Sequence, residues 1–172
     1  MCQQSIDLKE VDGWVAKAAE QGNGASLLLL SFGSTPAAYK QKLISAAVTL
    51  PYAESALALC EFSGCPGIAI DIPAAVSHAR EAAHRGALEA MIEIGPQLQG
   101  SMIDPNEVAA WNLVGTMLAQ QGCSYGPFSG QLIAAATNTL TSKKSYDKVR
   151  SLAEQYWRDY GAQIMGNIGC TP

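Results

Sequence analysis

Charge is sparse in this chain. Aspartate, glutamate, lysine and arginine together make up 15% of its 172 residues, and acids outnumber bases 15 to 11. A general nucleic-acid binder needs a basic face to displace counterions from phosphates, and a net charge of −4 argues against one. Bases are scarcest in the middle, where residues 51–122 hold eight acids but only Arg80 and Arg85. That stretch is a poor surface for DNA or for an anionic membrane. Long apolar runs are missing as well. The four leucines at 27–30 fall far short of the roughly 20 residues of a membrane span. There is no phosphate-binding P-loop and no Gly-x-Ser-x-Gly nucleophile elbow, and the glycines at 95, 100, 115, 122, 126 and 130 do not form a dinucleotide fingerprint. Convincing strand alternation is also lacking. Gly67–Asp71 is the best candidate and is too short to build a sheet.

What is present is apolar and helix-forming. Hydrophobic residues are 48% of the chain, enough to exclude disorder and to bury the core of one domain. Alanine, leucine, glutamate and glutamine dominate the periodic segments, which predict helices over 7–21, 25–33, 36–49, 52–63, 72–85, 88–99, 105–121, 128–141 and 144–160.

The segments repeat. Ala18-Ala19, Ala46-Ala47, Ala82-Ala83 and Leu118-Ala119 follow one another at steps of 28, 36 and 36 residues. A stop follows each: Gln21-Gly22, Leu50-Pro51, Arg85-Gly86 and Gln121-Gly122. Within the units at 51–86 and 87–122 lies a second break, Gly64–Gly67 in one and Gln99–Ser101 in the other. An acid then caps the next helix, Asp71 before Pro73 and Asp104 before Pro105. The unit is helix, loop, helix, turn, over about 36 residues.

Three stretches carry a family resemblance: DGWVAKAAEQGNGASLLLL at 12–30, CEFSGCPGIAIDIPAAVSHAREAAHRGALEAMIEIG at 60–95, and WNLVGTMLAQQG at 111–122. They resemble the Sel-one-like repeat, a relative of the tetratricopeptide repeat. The likeness implies an all-α fold, a helical-repeat solenoid or α-α superhelix of about four helix pairs. It would form a single domain over 1–172, clearest from 50 to 122, with 123–172 a divergent capping pair. Tyr156, Trp157 and Tyr160 suit a cap that closes the array. In such repeats the first helix of each pair lines the concave side, which makes Glu54, Glu61, Glu89 and Glu93 candidate groove residues and a basic partner protein the expected ligand. No nucleic acid and no cofactor are expected.

One motif competes with this reading. Cys60-x4-Cys65-x12-His78-x5-His84 is the literal spacing of a two-Cys, two-His zinc finger. Yet Ala69 and Ala75 stand where a finger needs large core residues, and His78 and His84 lie about 120° apart on a helix. His78 instead falls eight residues before Gly86, as Trp14 does before Gly22, where the family packs a tryptophan between two helices. No metal is expected. A Cys60–His78 nucleophile pair is possible on paper but loses to the same packing role.

The cysteines point to a compartment. Cys60 with Cys65 and Cys123 with Cys170 are candidate disulfides, or reduced apolar side chains, and Cys2 is a candidate lipidation site. The expectation is a non-enzymatic periplasmic adaptor or immunity lipoprotein, anchored to the outer membrane where Cys2 is lipidated; the alternatives are a cytoplasmic location and an enzyme acting on β-lactam or peptidoglycan-like substrates. Cysteine-rich relatives of this repeat are associated with the latter, and the regular cysteine pair in every repeat that marks them is missing.

Overall fold

The structure, a computed structural model, describes residues 13, 14, 17, 18, 36–123, 143–167 and 170. The helices expected at 25–33 and 128–141 lie outside the described residues, as does most of 7–21. Among the described residues six helices follow in order: α1 (Pro36–Ala47), α2 (Pro51–Ser63), α3 (Ile72–His84), α4 (Glu89–Leu98), α5 (Pro105–Gln120) and α6 (Lys143–Asn167). Among the described residues there is no strand. Gly67–Asp71 contributes a single isolated bridge, Cys65 with Ile68. The fold is all-α.

Local chemistry sets the boundaries. Asp71 accepts from the Ala74 amide at 3.1 Å and Asp104 from the Asn106 amide at 2.8 Å, so both expected caps are formed. Two hydrogen bonds from Asn106, one from its amide and one from its side-chain nitrogen, hold the Asp104 carboxyl below its ordinary pKa. Proline follows each cap within the first turn of α3 and α5.

The ends repeat as faithfully. Gly86 and Gly122 have φ of 107° and 78°, a region that strains any residue with a Cβ. Beyond each, the same hydrogen bond closes the turn: the Ala87 amide on the Ala82 carbonyl at 2.8 Å, and the Cys123 amide on the Leu118 carbonyl at 3.1 Å. Two sequence units 36 residues apart therefore end in the same backbone geometry.

Each helix packs on the next, and the array stacks: α2 reaches α4, and α3 reaches α6. Small residues allow close approach. Ala53, Ala56 and Ala58 of α2 and Ala75, Ala79, Ala82 and Ala83 of α3 are all buried. At Gly95 of α4 an added Cβ would lie 2.9 Å from Val108 of α5, so that crossing requires glycine. One core runs from α2 to α6 through Leu88, Met91, Ile94, Trp111, Leu118 and Ile164; a smaller one joins Leu43 of α1 to Leu57, Cys60 and Ile68. Neighbouring units thus supply the apolar surface that no single unit could bury alone.

The last helix runs seven residues past its expected end at Tyr160. Gly161 sits inside it under the Trp157 ring, where a Cβ would lie 3.1 Å from the indole. Beyond it Ile164 is fully buried, so the apolar face continues and the helix with it.

Candidate functional site

An open groove of about 610 Å³ runs along α3. Its floor is one helical face, Pro73, Ser77, Arg80, Glu81 and His84, spaced at three and four residues. Glu54 of α2 closes one side, and Ser101 and Met102 of the α4–α5 loop close the other. Of the four glutamates expected at the groove, Glu54 lines it; Glu61, Glu89 and Glu93 are not among its lining residues.

Most of the charge in this region is already paired. Arg85 donates to the Glu54 carboxylate, with the two side chains only 15% and 9% exposed. The same guanidinium reaches the carbonyl of Ala47 at 3.0 Å, the end of α1. Burial pushes the Glu54 carboxyl up, and the Arg85 charge opposes that push. Arg80 holds Glu107 of α5 bidentately, at 2.7 and 2.8 Å. Glu61 meets the His78 Nδ1 at 2.6 Å. Glu81 is different: its side chain is 57% exposed, and its ion-pair neighbour is His84 at 3.9 Å.

Glu89 and Glu93 lie on α4. Glu93 is exposed. Glu89 is half-buried with an Oε2 that finds no hydrogen-bond partner, and burial raises its pKa. The two do not form a poised acid–base pair, which would need both carboxylates facing one reacting atom.

His78 is not a core ring; it is half-buried and bound to Glu61. Trp14, its counterpart in the first unit, is 69% exposed. The packing ring is His84, which stacks on Tyr160 at 4.2 Å, with Trp111 5.4 Å away. Trp111 is wholly buried and stacks on Tyr156 at 4.4 Å. Burial pushes the Tyr156 hydroxyl up to about 12 and the His84 imidazole down. The four rings join α3, α5 and α6. His84 takes this place because it sits at the end of α3, against α6, whereas His78 meets Glu61 of α2.

Cys60 is bonded to Cys65 and Cys123 to Cys170, with Cα separations of 5.0 and 5.5 Å. The first bond removes both thiolates from a zinc finger's donor set and removes the thiol of a Cys60–His78 nucleophile pair. Among the described residues no three potential ligands converge. Ser145-Tyr146-Asp147-Lys148 has the Ser-x-x-Lys spacing of β-lactamase nucleophiles, but Lys148 is 64% exposed and 3.7 Å from Asp104. A serine-activating lysine must instead be desolvated to lose its proton near neutral pH.

Sequence reasoning missed Ser77, Arg80, Glu81 and Met102. The signal for the first three was the polar stripe at 77, 80, 81 and 84 on a helix whose opposite face is alanine.

The chain matches no protein-family model and no curated protein. Among solved structures it is similar to a protective antigen present in uropathogenic Escherichia coli strains, whose crystal structure displays an SLR fold. The TM-score is 0.63 at 20% identity, over 95% of this chain and 36% of that one. The chain therefore spans about a third of that structure's length and shares its fold, a helical-repeat solenoid.

Proposed function

We propose that the chain is a non-enzymatic protein-binding module that works in an oxidising compartment, as a periplasmic adaptor or an immunity or inhibitor protein. The observation that carries this reading is the groove along α3: open, formed by stacked repeat elements, and lined by ionisable groups tied to structural partners. Surfaces of this kind recognise an extended partner. Two disulfides support the compartment, since such bonds persist outside the reducing cytosol. No described helix is long and apolar enough to cross a membrane; the attachment proposed is a lipid on Cys2.

The test is photo-crosslinking in the producing cell from a benzoylphenylalanine at Ser77, in the groove, and at Gln155 on α6, outside it. A discrete partner adduct from Ser77 alone supports the module. Turnover of nitrocefin or peptidoglycan by the purified protein, abolished by a groove substitution, would replace it with the enzymatic alternative.

A further inference from the structure

We infer that the α3 groove takes a lysine or arginine side chain of a partner peptide onto Glu81, with an aliphatic neighbour of that residue against Met102. This rests on the protein-binding reading above and names the chemistry of its partner.

Two observations lead there. The first is the distribution of charge across the groove wall. Arg80 is neutralised by its bidentate bond to Glu107, and Glu54 by Arg85. Glu81 lacks any such close partner: its carboxylate is more than half exposed, and the imidazole 3.9 Å away has its pKa lowered by burial, which leaves it neutral at neutral pH. The groove therefore presents one uncompensated negative charge, set in a stretch of chain that is acidic overall. Charge complementarity selects a cation. The second is the apolar rim. Met102 is 42% exposed on the loop closing the groove, and Pro73 lies exposed at its other end. A methionine is flexible enough to mould itself to an aliphatic side chain. A volume of about 610 Å³ suits a short peptide segment rather than a single ion.

The probe is an N-acetylated, C-amidated Gly-Leu-Lys-Leu-Gly peptide, with norleucine and glutamate replacing lysine in two controls. Binding is followed by amide chemical shifts of the isotope-labelled protein at low salt. The lysine peptide should move the amides of Ser77, Glu81, His84 and Met102 and bind about fivefold more tightly than the norleucine peptide, the contribution of one exposed ion pair. Glu81→Gln should erase that difference and leave the melting temperature unchanged, because the side chain is exposed. Met102→Ala should weaken both peptides alike.

Equal affinity for lysine and norleucine peptides, or a lysine preference that survives Glu81→Gln, overturns the inference and leaves the protein-binding reading standing. Concentration-dependent shifts of the same amides without peptide would make a second copy of the chain the occupant, and also overturn it. No binding of any peptide at about 1 mM, the weak limit of specific recognition, together with nitrocefin or peptidoglycan turnover, overturns both.

Discussion

The imidazole of His84 lies flat on the phenol ring of Tyr160, with centroids 4.2 Å apart and 18° between the planes. The contact fixes the end of α3 to α6. It also ties stability to protonation, because burial lowers the His84 pKa. Glu81 and Glu107 oppose that shift and Arg80 adds to it. A lowered value means that the unfolded chain takes up the proton first. This contribution is intact above the ordinary histidine value of about 6.5 and is lost as pH falls below it toward the folded value. His84→Phe should keep the stacking and remove this share of acid sensitivity. Melting temperatures of the two proteins from pH 7.5 to 5 should diverge in acid, with the unsubstituted protein falling more steeply, if the assignment holds. Parallel curves would count against it.

Arg85 joins three elements through Glu54 of α2, the Ala47 carbonyl of α1, and its own carbonyl, which accepts from Asn167 of α6 at 3.0 Å. Arg85→Met should cost about 3 kcal/mol, since it strands a buried carboxylate. Glu54→Met with Arg85→Met should recover most of that loss in urea titrations. The single variant's defect should also shrink as pH falls toward the carboxylate range. Without Arg85, burial is left as the largest influence on Glu54 and raises its folded pKa further, so protonation then favours the folded chain.

Gly95→Ala puts a methyl group 2.9 Å from Val108. A helical Gly→Ala exchange ordinarily stabilises by about 1 kcal/mol. Here overpacking should reverse the sign, with a net loss of about 1–3 kcal/mol. Val108→Ala in the same chain should return part of it. A stabilised Gly95→Ala protein would mean that α4 and α5 are not in close contact at this point.

The Cys123–Cys170 bond spans 47 residues and ties the end of α6 to the end of α5. Chain entropy gives it up to about 4 kcal/mol, against about 2 kcal/mol for the short Cys60–Cys65 loop. Cys170→Ser should therefore lower the urea midpoint more than Cys65→Ser does. Its near-ultraviolet dichroism should weaken first, as the Trp111–Tyr156 stack loosens. Alkylation of the native protein without reductant should block one thiol, that of Cys2. Five blocked thiols would remove the argument for an oxidising compartment.

Much of the fold was written locally. Caps at Asp71 and Asp104, stops at Gly86 and Gly122, and prolines at 73 and 105 act within a few residues of themselves, so their spacing fixed the helices and the repeat in advance of any tertiary contact. The cysteine partners were legible in part for the same reason, since each pair brackets a turn or a terminal element. Other features exist only once distant segments meet. The start of α4 lacks a side-chain cap of its own; the Ser55 hydroxyl, from a helix 35 residues earlier, accepts from the Ala90 amide at 3.0 Å. Likewise, Glu54 and Glu61 read as free groove carboxylates until α3 brings Arg85 and His78 against them. The ring that stacks on α6 is His84 and not His78, because α6 passes over the end of α3 rather than its middle. Periodicity assigns a residue to a face of its helix. What that face meets depends on how the helices stack, and in the groove that decided which charges were neutralised and left Glu81 exposed.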